Sequence, residues 1–560
     1  MAERSRSITS VTIANRKSRI MRSLRHCRLI GILALVLSAV TVRAQTDDDR
    51  ITSIAIQATA RLAAIQTPGG PTRLALTLKE ATFRALERNL DIAVERLNSQ
   101  VFDLLLAQQL STYRPSLNSA FSNNSRTNPS SSQLDGGQAV VSDTAVFNAG
   151  VDQAVQWGGG AYQLDWNNNR SASTNIFSSF NPSYRSSVQA TYTQPLLRGF
   201  KIDSTRQQIQ VTRINREIAD IDLQQTMTNT VSSVTNAYWD LVYANQAVGV
   251  QRQALALAES LVRDNEARVE IGTLAPIDVV QARSEAAARR QSVAQTEQNL
   301  ATTELVLKQL IVSGTDDDYW TATLDPVDLP TLNPEPIDLE SAIRTALDQR
   351  TDIARSQRQL DINNVNLSAM RNNTLPSVDL VASYQLQGQG GTQFQRSGLG
   401  GAVTTAIPGG IGDAFNQLYD TKFPVWTVQL NVSYPIGQSA ADASYARARI
   451  QVQQVQAQLR QLELQIATEV TTAVVQLRGL ERRIEAATAA RELAAEQLAA
   501  EQSRFEAGLT TNFFIVQAQR DLSAAQDTEL RAILDQQKAL VELDRVQRTS
   551  LSRAGISIVQ

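Results

Sequence analysis

The feature that most constrains this chain is a second copy of itself. RVEIGTLAPIDVVQARSE (268–285) returns without a gap as RFEAGLTTNFFIVQAQRD (504–521), 236 residues later. Arg268 lies over Arg504, Gly272 over Gly508, and Val280-Gln281-Ala282 over Val516-Gln517-Ala518. A second pair, LKEATFRALERNLDIA (78–93) and LESAIRTALDQRTDIA (339–354), repeats at an offset of 261, and at that offset Pro115-Ser116 falls on Pro376-Ser377. The chain therefore reads as a tandem duplication, 75–312 and 337–555, with a longer insertion in the first copy after Pro115. Between the copies, 313–336 is acidic, holds Pro326, Pro330, Pro334 and Pro336, and reads as a linker.

Each copy predicts the same order of elements. A short and a medium helix come first, with Asp91 and Asp352 as N-caps between them. A proline then ends the helix and a strand follows. VDLVASYQL (378–386) and WTVQLNVSYP (426–435) alternate apolar and polar residues, as does SSVQATYTQP (186–195), and the first copy also offers SLNSAFS (116–122) as a strand. Such alternation requires only that one face be apolar, against a protein core in a soluble sandwich or against lipid in a membrane barrel. A long helical pattern comes next, about 204–271 and 441–507. Met227, Val231, Val234, Tyr238 and Leu241 in the first, and Val455, Leu459, Leu462 and Ile466 in the second, step by four and three. This is coiled-coil spacing, and about 65 residues reach roughly 100 Å. Gly272 and Gly508 end these helices, and a returning helix follows each. The duplicated stretch is thus the far tip of a long helical hairpin, and two copies make two hairpins.

The N-terminus reads as an export signal, 1–44. Six basic residues from Arg16 to Arg28 precede the apolar run LIGILALVLSAVTV (29–42), and Val42-Arg43-Ala44 predicts cleavage before Gln45. The run is short for a membrane anchor, and Met21 offers a second start. A polar segment, 45–74, leads into the first copy. The only His and the only Cys, His26 and Cys27, lie in the signal. The mature chain then lacks imidazole and thiol, so no Cys nucleophile, thiolate metal site or metal centre is expected, and no cofactor. Acid–base pairs remain, on helix faces that are ordinarily solvated, and no enzyme activity is expected. Nine of the 53 Lys/Arg and one of the 55 Asp/Glu lie in the first 44 residues, so the remainder carries a net charge of about −10. With no basic cluster, nucleic acid is not an expected partner.

On the duplication, the Pro-Ser strand starts, TYTQPLLRGF (191–200), NAYWDLVYANQAV (236–248) and the paired tips, the chain resembles the TolC-like outer-membrane efflux family over about 75–555. The resemblance implies a mixed α and β membrane protein of tandem-duplicated strand pairs and coiled-coil hairpins. It implies a homotrimer whose chains each lend four strands to a 12-stranded β-barrel in outer-membrane lipid, above a periplasmic α-helical tunnel. The function implied is the exit duct of tripartite efflux or type I secretion, completed by a periplasmic adaptor (membrane fusion protein) and an inner-membrane pump of the RND, ABC or MFS type. An adaptor-like coiled-coil structural protein of an export complex is the alternative, although such proteins usually have one hairpin flanked by compact β-domains. By resemblance, Arg268, Gly272, Arg504, Gly508 and Leu509 contact the adaptor. A glycine helix end or a solvated arginine would need no partner. Asp278 matches an acidic position of the family's periplasmic gate. Phe514 and Gln517 stand where the second copy would have aspartates, so the gate here combines Asp278, Phe514 and Gln517. AVFNAGVDQAVQWGGGAYQLDWNN (145–168) lies in the insertion and reads as a hairpin turning at Gly158-Gly159-Gly160. An external hairpin is expected there, with a plug or an extra barrel strand pair as alternatives. The Gly-rich 387–424 reads as an outer loop.

Overall fold

A computed structural model describes residues 73–130, 138–330, 337–398, 401–437, 439–553 and 555. The expected export signal and the polar segment up to residue 72 lie outside the described residues. The first copy begins with β1 (Arg73–Leu76), α1 (Leu78–Arg88) and α2 (Leu90–Ser111). Four strands follow: β2 (Ser116–Pro129), β3 (Ala139–Ala154), β4 (Ala161–Ser173) and β5 (Phe180–Pro195). The hairpin is α3 (Ser204–Glu270) and α4 (Pro276–Ile311). The stretch expected as linker holds one helical turn, α5 (Asp318–Thr321), and β6 (Thr323–Pro326), which pairs in parallel with β1 and buries Leu324. The second copy repeats the plan with α6 (Leu339–Gln349), α7 (Thr351–Asn373), β7 (Ser377–Arg396), β8 (Val403–Ile407), α8 (Ile411–Tyr419) and β9 (Pro424–Ser433). It ends with α9 (Ala440–Glu506), α10 (Asn512–Gln547) and the short α11 (Ser550–Arg553).

Both long helices have 67 residues, and both returning helices have 36. At 1.5 Å per residue the long helices reach about 100 Å and the returning ones about 54 Å. A returning helix therefore covers only the tip-side half of its partner, and α2 covers much of the rest of α3. Where α2 and α4 meet end to end, one side chain serves both. Asn89 Oδ1 accepts from the Asp91 and Ile92 amides, which caps α2, while its Nδ2 donates to the Leu310 carbonyl at 3.0 Å, near the C-terminus of α4. The N-cap is thus Asn89 rather than Asp91. Asp91 sits in the first helical turn, where its negative charge complements the positive end of the helix dipole. In the second copy the cap position is Arg350 rather than Asp352, and Arg548 donates across the matching joint to the Gln349 carbonyl at 2.7 Å.

The main core lies at this joint. Val234, Tyr238 and Leu241 of α3, Leu307 and Ile311 of α4, and Leu76 and Leu324 of the small sheet are buried together. The second copy builds its counterpart from Ile466, Val470, Val474 and Leu477 of α9 with Ala346 and Leu543. Tyr238 buries its ring and donates from its hydroxyl to Leu76 O at 3.0 Å or Asp328 Oδ2 at 2.9 Å, while the Asp328 amide donates back. Burial pushes this phenol up to about 12, so it stays neutral and its hydrogen bonds hold at any ordinary pH.

The long strands form one antiparallel sheet in the order β2-β3-β4-β5-β7, with β9 and β8 both on the far side of β7 at different heights. The expected external hairpin at 145–168 is corrected by this arrangement. Its arms are β3 and β4, and they lie inside the sheet between β2 and β5. Among the described residues one chain supplies six long strands, two more than the resemblance implies. The expected outer loop 387–424 also shortens. β7 continues to Arg396, and α8 packs over its end, where Gly388 and Gly390 leave the room. A Cβ on either would sit 2.1 Å from a carbonyl oxygen of Ala414 or Gly410. Beyond the end of β9, the Gln417 carboxamide bonds both the amide and the carbonyl of Gln389 at 2.9 Å, which completes the ladder.

Candidate functional site

The two tips have the same backbone geometry because each helix ends on a glycine with positive φ, +77° at Gly272 and +74° at Gly508. In the first, the Thr273 amide bonds the Arg268 carbonyl and the Gly272 amide bonds that of Val269. In the second, Leu509 bonds Arg504 and Gly508 bonds Phe505. These are paired Schellman closures, and they satisfy carbonyls that a helix end otherwise leaves open. A side chain at either glycine meets no neighbour within 4 Å, so the constraint is backbone conformation alone.

Equivalent tip residues do different work. The Arg268 guanidinium lies 4.5 Å over the Phe505 ring and donates to the Phe505 carbonyl at 3.3 Å, so it braces one tip against the other. Arg504 is largely exposed and pairs within its own helix, with Glu501 at 2.8 Å. Leu509 is 79% exposed. Asp278 sits in the first turn of α4, and its carbonyl accepts from the buried Asn512 side chain at 3.3 Å. Phe514 stands half exposed, edge-on to Phe513 at 5.6 Å, and Gln517 donates to Asp521 at 2.8 Å. Beneath them Leu261, Ala282, Leu498, Phe505, Ile515 and Ala518 form a small core shared by both hairpins.

The sequence reading missed a buried charged contact between the hairpins. Glu285 of α4 is buried and accepts from Arg289 at 2.7 Å and from Arg520 of α10 at 2.5 and 3.1 Å. Burial alone would raise this carboxyl, but the Arg520 and Arg289 hydrogen bonds outweigh it and hold the group below its usual range. The Glu285/Arg289 spacing was visible in SEAAARR, but the partner 235 residues away was not. Two further rungs follow along the same seam: Tyr243 to Asp527 at 2.9 Å and Asp240 to Lys538 at 2.6 Å.

At the other end of the molecule the sheet has two unlike faces. Leu117, Val151, Leu164, Ala190, Tyr384 and Trp426 stand side by side in one register row, one from each long strand. The adjacent row, on the opposite face, is Ser116, Asp152, Gln163, Thr191, Ser383 and Thr427. Much of the apolar row is open: Leu117 is 79% exposed and Trp426 73%. Among the described residues no helix is long and apolar enough to cross a membrane. A one-sidedly apolar sheet joined to two 100 Å hairpins defines a channel protein that spans a membrane by its strands and reaches away from it by its helices.

The family described as outer membrane efflux protein matches residues 81–312 and 342–546, most of the chain, and this protein belongs to it. It is an outer-membrane efflux channel, located in the Gram-negative outer membrane and extending into the periplasm. Solved structures share the fold at low identity. The CmeC outer membrane channel of Campylobacter jejuni is 14% identical, with 84% of this chain and 85% of that one covered at a TM-score of 0.59. VceC of Vibrio cholerae is 14% identical over 84% and 95%, at 0.58. The open state of the Neisseria gonorrhoeae MtrE channel is 17% identical over 84% and 88%, at 0.55. No curated protein matches the chain.

Proposed function

We propose that three copies of this chain form the passive exit duct of a tripartite export machine. The observation that carries this reading is the union, in one chain, of a sheet with one apolar and one polar face and two hairpins long enough to cross much of the periplasm. The duct needs no energy source of its own. A periplasmic adaptor engages the tips, and an inner-membrane pump of the RND, ABC or MFS type drives transport. Arg504 and Leu509 present themselves to the adaptor, Gly272 and Gly508 set the shape of the tips, and Arg268 acts by holding the two tips together. The gate is formed by Asp278, Phe514 and Gln517 from three copies. Asp278 attracts cations electrostatically, and Phe514 closes by apolar contact. The test is single-channel conductance of the purified full chain in a planar bilayer. Small, cation-biased steps from a stable trimer are expected. A folded trimer that never conducts, with or without an adaptor, refutes the reading.

A further inference from the structure

We propose that the β3–β4 hairpin is part of the barrel wall, so that three copies close a barrel of eighteen strands with a wide lumen. The inference rests on the trimeric duct reading above and adds two strands per chain to it.

Three observations support it. First, the hairpin is laddered along both arms, β3 to β2 from Asp152 to Ala139, and β4 to β5 from Ala161 to Ser171. In this structure it is the hairpin that satisfies the main-chain donors and acceptors along the facing edges of β2 and β5, as strands of a wall in lipid must. Second, its side chains keep the phase and height of the wall. Val151 and Leu164 continue the row that runs from Leu117 to Trp426, and Asp152 and Gln163 continue the polar row beside it. A hairpin in water above the membrane would have no reason to carry an apolar face in register with four lipid-facing strands. One folded into the lumen as a plug would put Phe147 and Leu164 in water. Third, its turn is tied to the base of the wall, where strands become tunnel helices. Gln194 donates to the Gly158 carbonyl at 2.8 Å, and Trp157 meets Phe200 edge-on at 5.9 Å.

The remaining edges say how the wall closes. β2 and β9 are exposed along their whole length, and each pairs on one side only among the described residues. β2 runs away from the helices and β9 runs back towards them, so β9 of one copy and β2 of the next meet antiparallel, as every neighbouring pair within the chain already does. Six strands from each of three copies give an even, fully alternating barrel. Barrel diameter grows about linearly with strand number, so eighteen strands give a lumen roughly one and a half times as wide as twelve. Sixteen to eighteen strands is the range in which porins leave an open aqueous channel. The polar face that lines it here is rich in uncharged groups such as Asn148, Gln163, Thr191, Gln385 and Asn431. The narrowest point of the duct therefore stays in the helical part, and the outer-membrane section does not limit cargo size.

The test labels single cysteines in the full chain, whose only native cysteine lies in the expected signal. Phe147→Cys, Leu164→Cys, Asn148→Cys and Gln163→Cys are labelled with an environment-sensitive fluorophore in proteoliposomes. At Phe147 and Leu164 the emission should be blue-shifted and quenched by nitroxide-bearing lipid. At Asn148 and Gln163 it should be neither, and a membrane-impermeant maleimide should reach the thiol. Lipid quenching at none of the four positions overturns the proposal. Electron cryomicroscopy of the unmodified trimer counts strands independently of any variant. Eighteen supports the proposal. Twelve, with the hairpin outside or within the barrel, overturns it and leaves the duct intact. The absence of a trimer refutes the duct reading itself.

Discussion

Replacing Glu285 by Gln tests whether the buried charge cluster couples the two hairpins. The Glu285 side chain is 5% exposed, that of Arg289 15% and that of Arg520 53%. Removing one partner of a fully buried pair costs about 3–5 kcal/mol, because the other charge stays desolvated and unpaired. Here Arg289 suffers most of that penalty. Arg520 reaches solvent, where a lost partner matters by less than about 1 kcal/mol. Glutamine keeps the shape and one acceptor. A cost of about 2 kcal/mol follows, or roughly thirtyfold in the equilibrium between joined and separated hairpins. Arg520→Gln should cost less, because Glu285 keeps Arg289. The assays are thermal unfolding of the trimer and open probability in a planar bilayer, with the double variant closing the cycle. The sign with pH also follows. The folded carboxyl lies below its ordinary value of 4.5, so the contact is at full strength above that value and is lost as pH falls through the folded value. The wild type should lose the coupling on acidification below about 4.5, and Glu285→Gln should show no such dependence. If both single variants fold, keep wild-type stability and open no more often, the cluster does not hold the hairpins together.

Three more expectations can be checked with the same protein. Gly272→Ala or Gly508→Ala forces a side chain into a left-handed conformation at about 1–2 kcal/mol each; adaptor binding measured by interferometry should weaken while the melting temperature of the whole trimer barely changes. Asp278→Asn should reduce cation preference in reversal-potential measurements, and Phe514→Ala should raise resting conductance; no change in either removes that residue from the constriction. Tyr238→Phe leaves the Leu76 carbonyl and Asp328 without their buried hydroxyl partner, and denaturant unfolding should show a loss of about 1–3 kcal/mol.

Much of this architecture was legible because it is encoded locally. Helical periodicity ran unbroken through 204–271 and 441–507, and α3 and α9 occupy 204–270 and 440–506. The tip glycines announced their left-handed backbone because almost no other residue tolerates it. Alternation marked the strands because side-chain direction has a period of two. The duplication itself needed only the comparison of one stretch with another.

What only the tertiary structure decided are the contacts between residues far apart in the chain. Periodicity along 145–168 is the same for a strand pair in a wall, above it or inside it, and only pairing with β2 and β5 distinguishes them. Arg268 and Arg504 occupy equivalent positions in the repeat, yet one lies on Phe505 and the other faces water. Glu285 and Arg520 are 235 residues apart, and Asn89 closes the end of a helix that ends at Ile311. Local rules act over a few bonds, so the sequence by itself determined which helices, strands and turns exist. Which faces meet depends on how all of them pack at once, and that was settled only when the chain closed on itself.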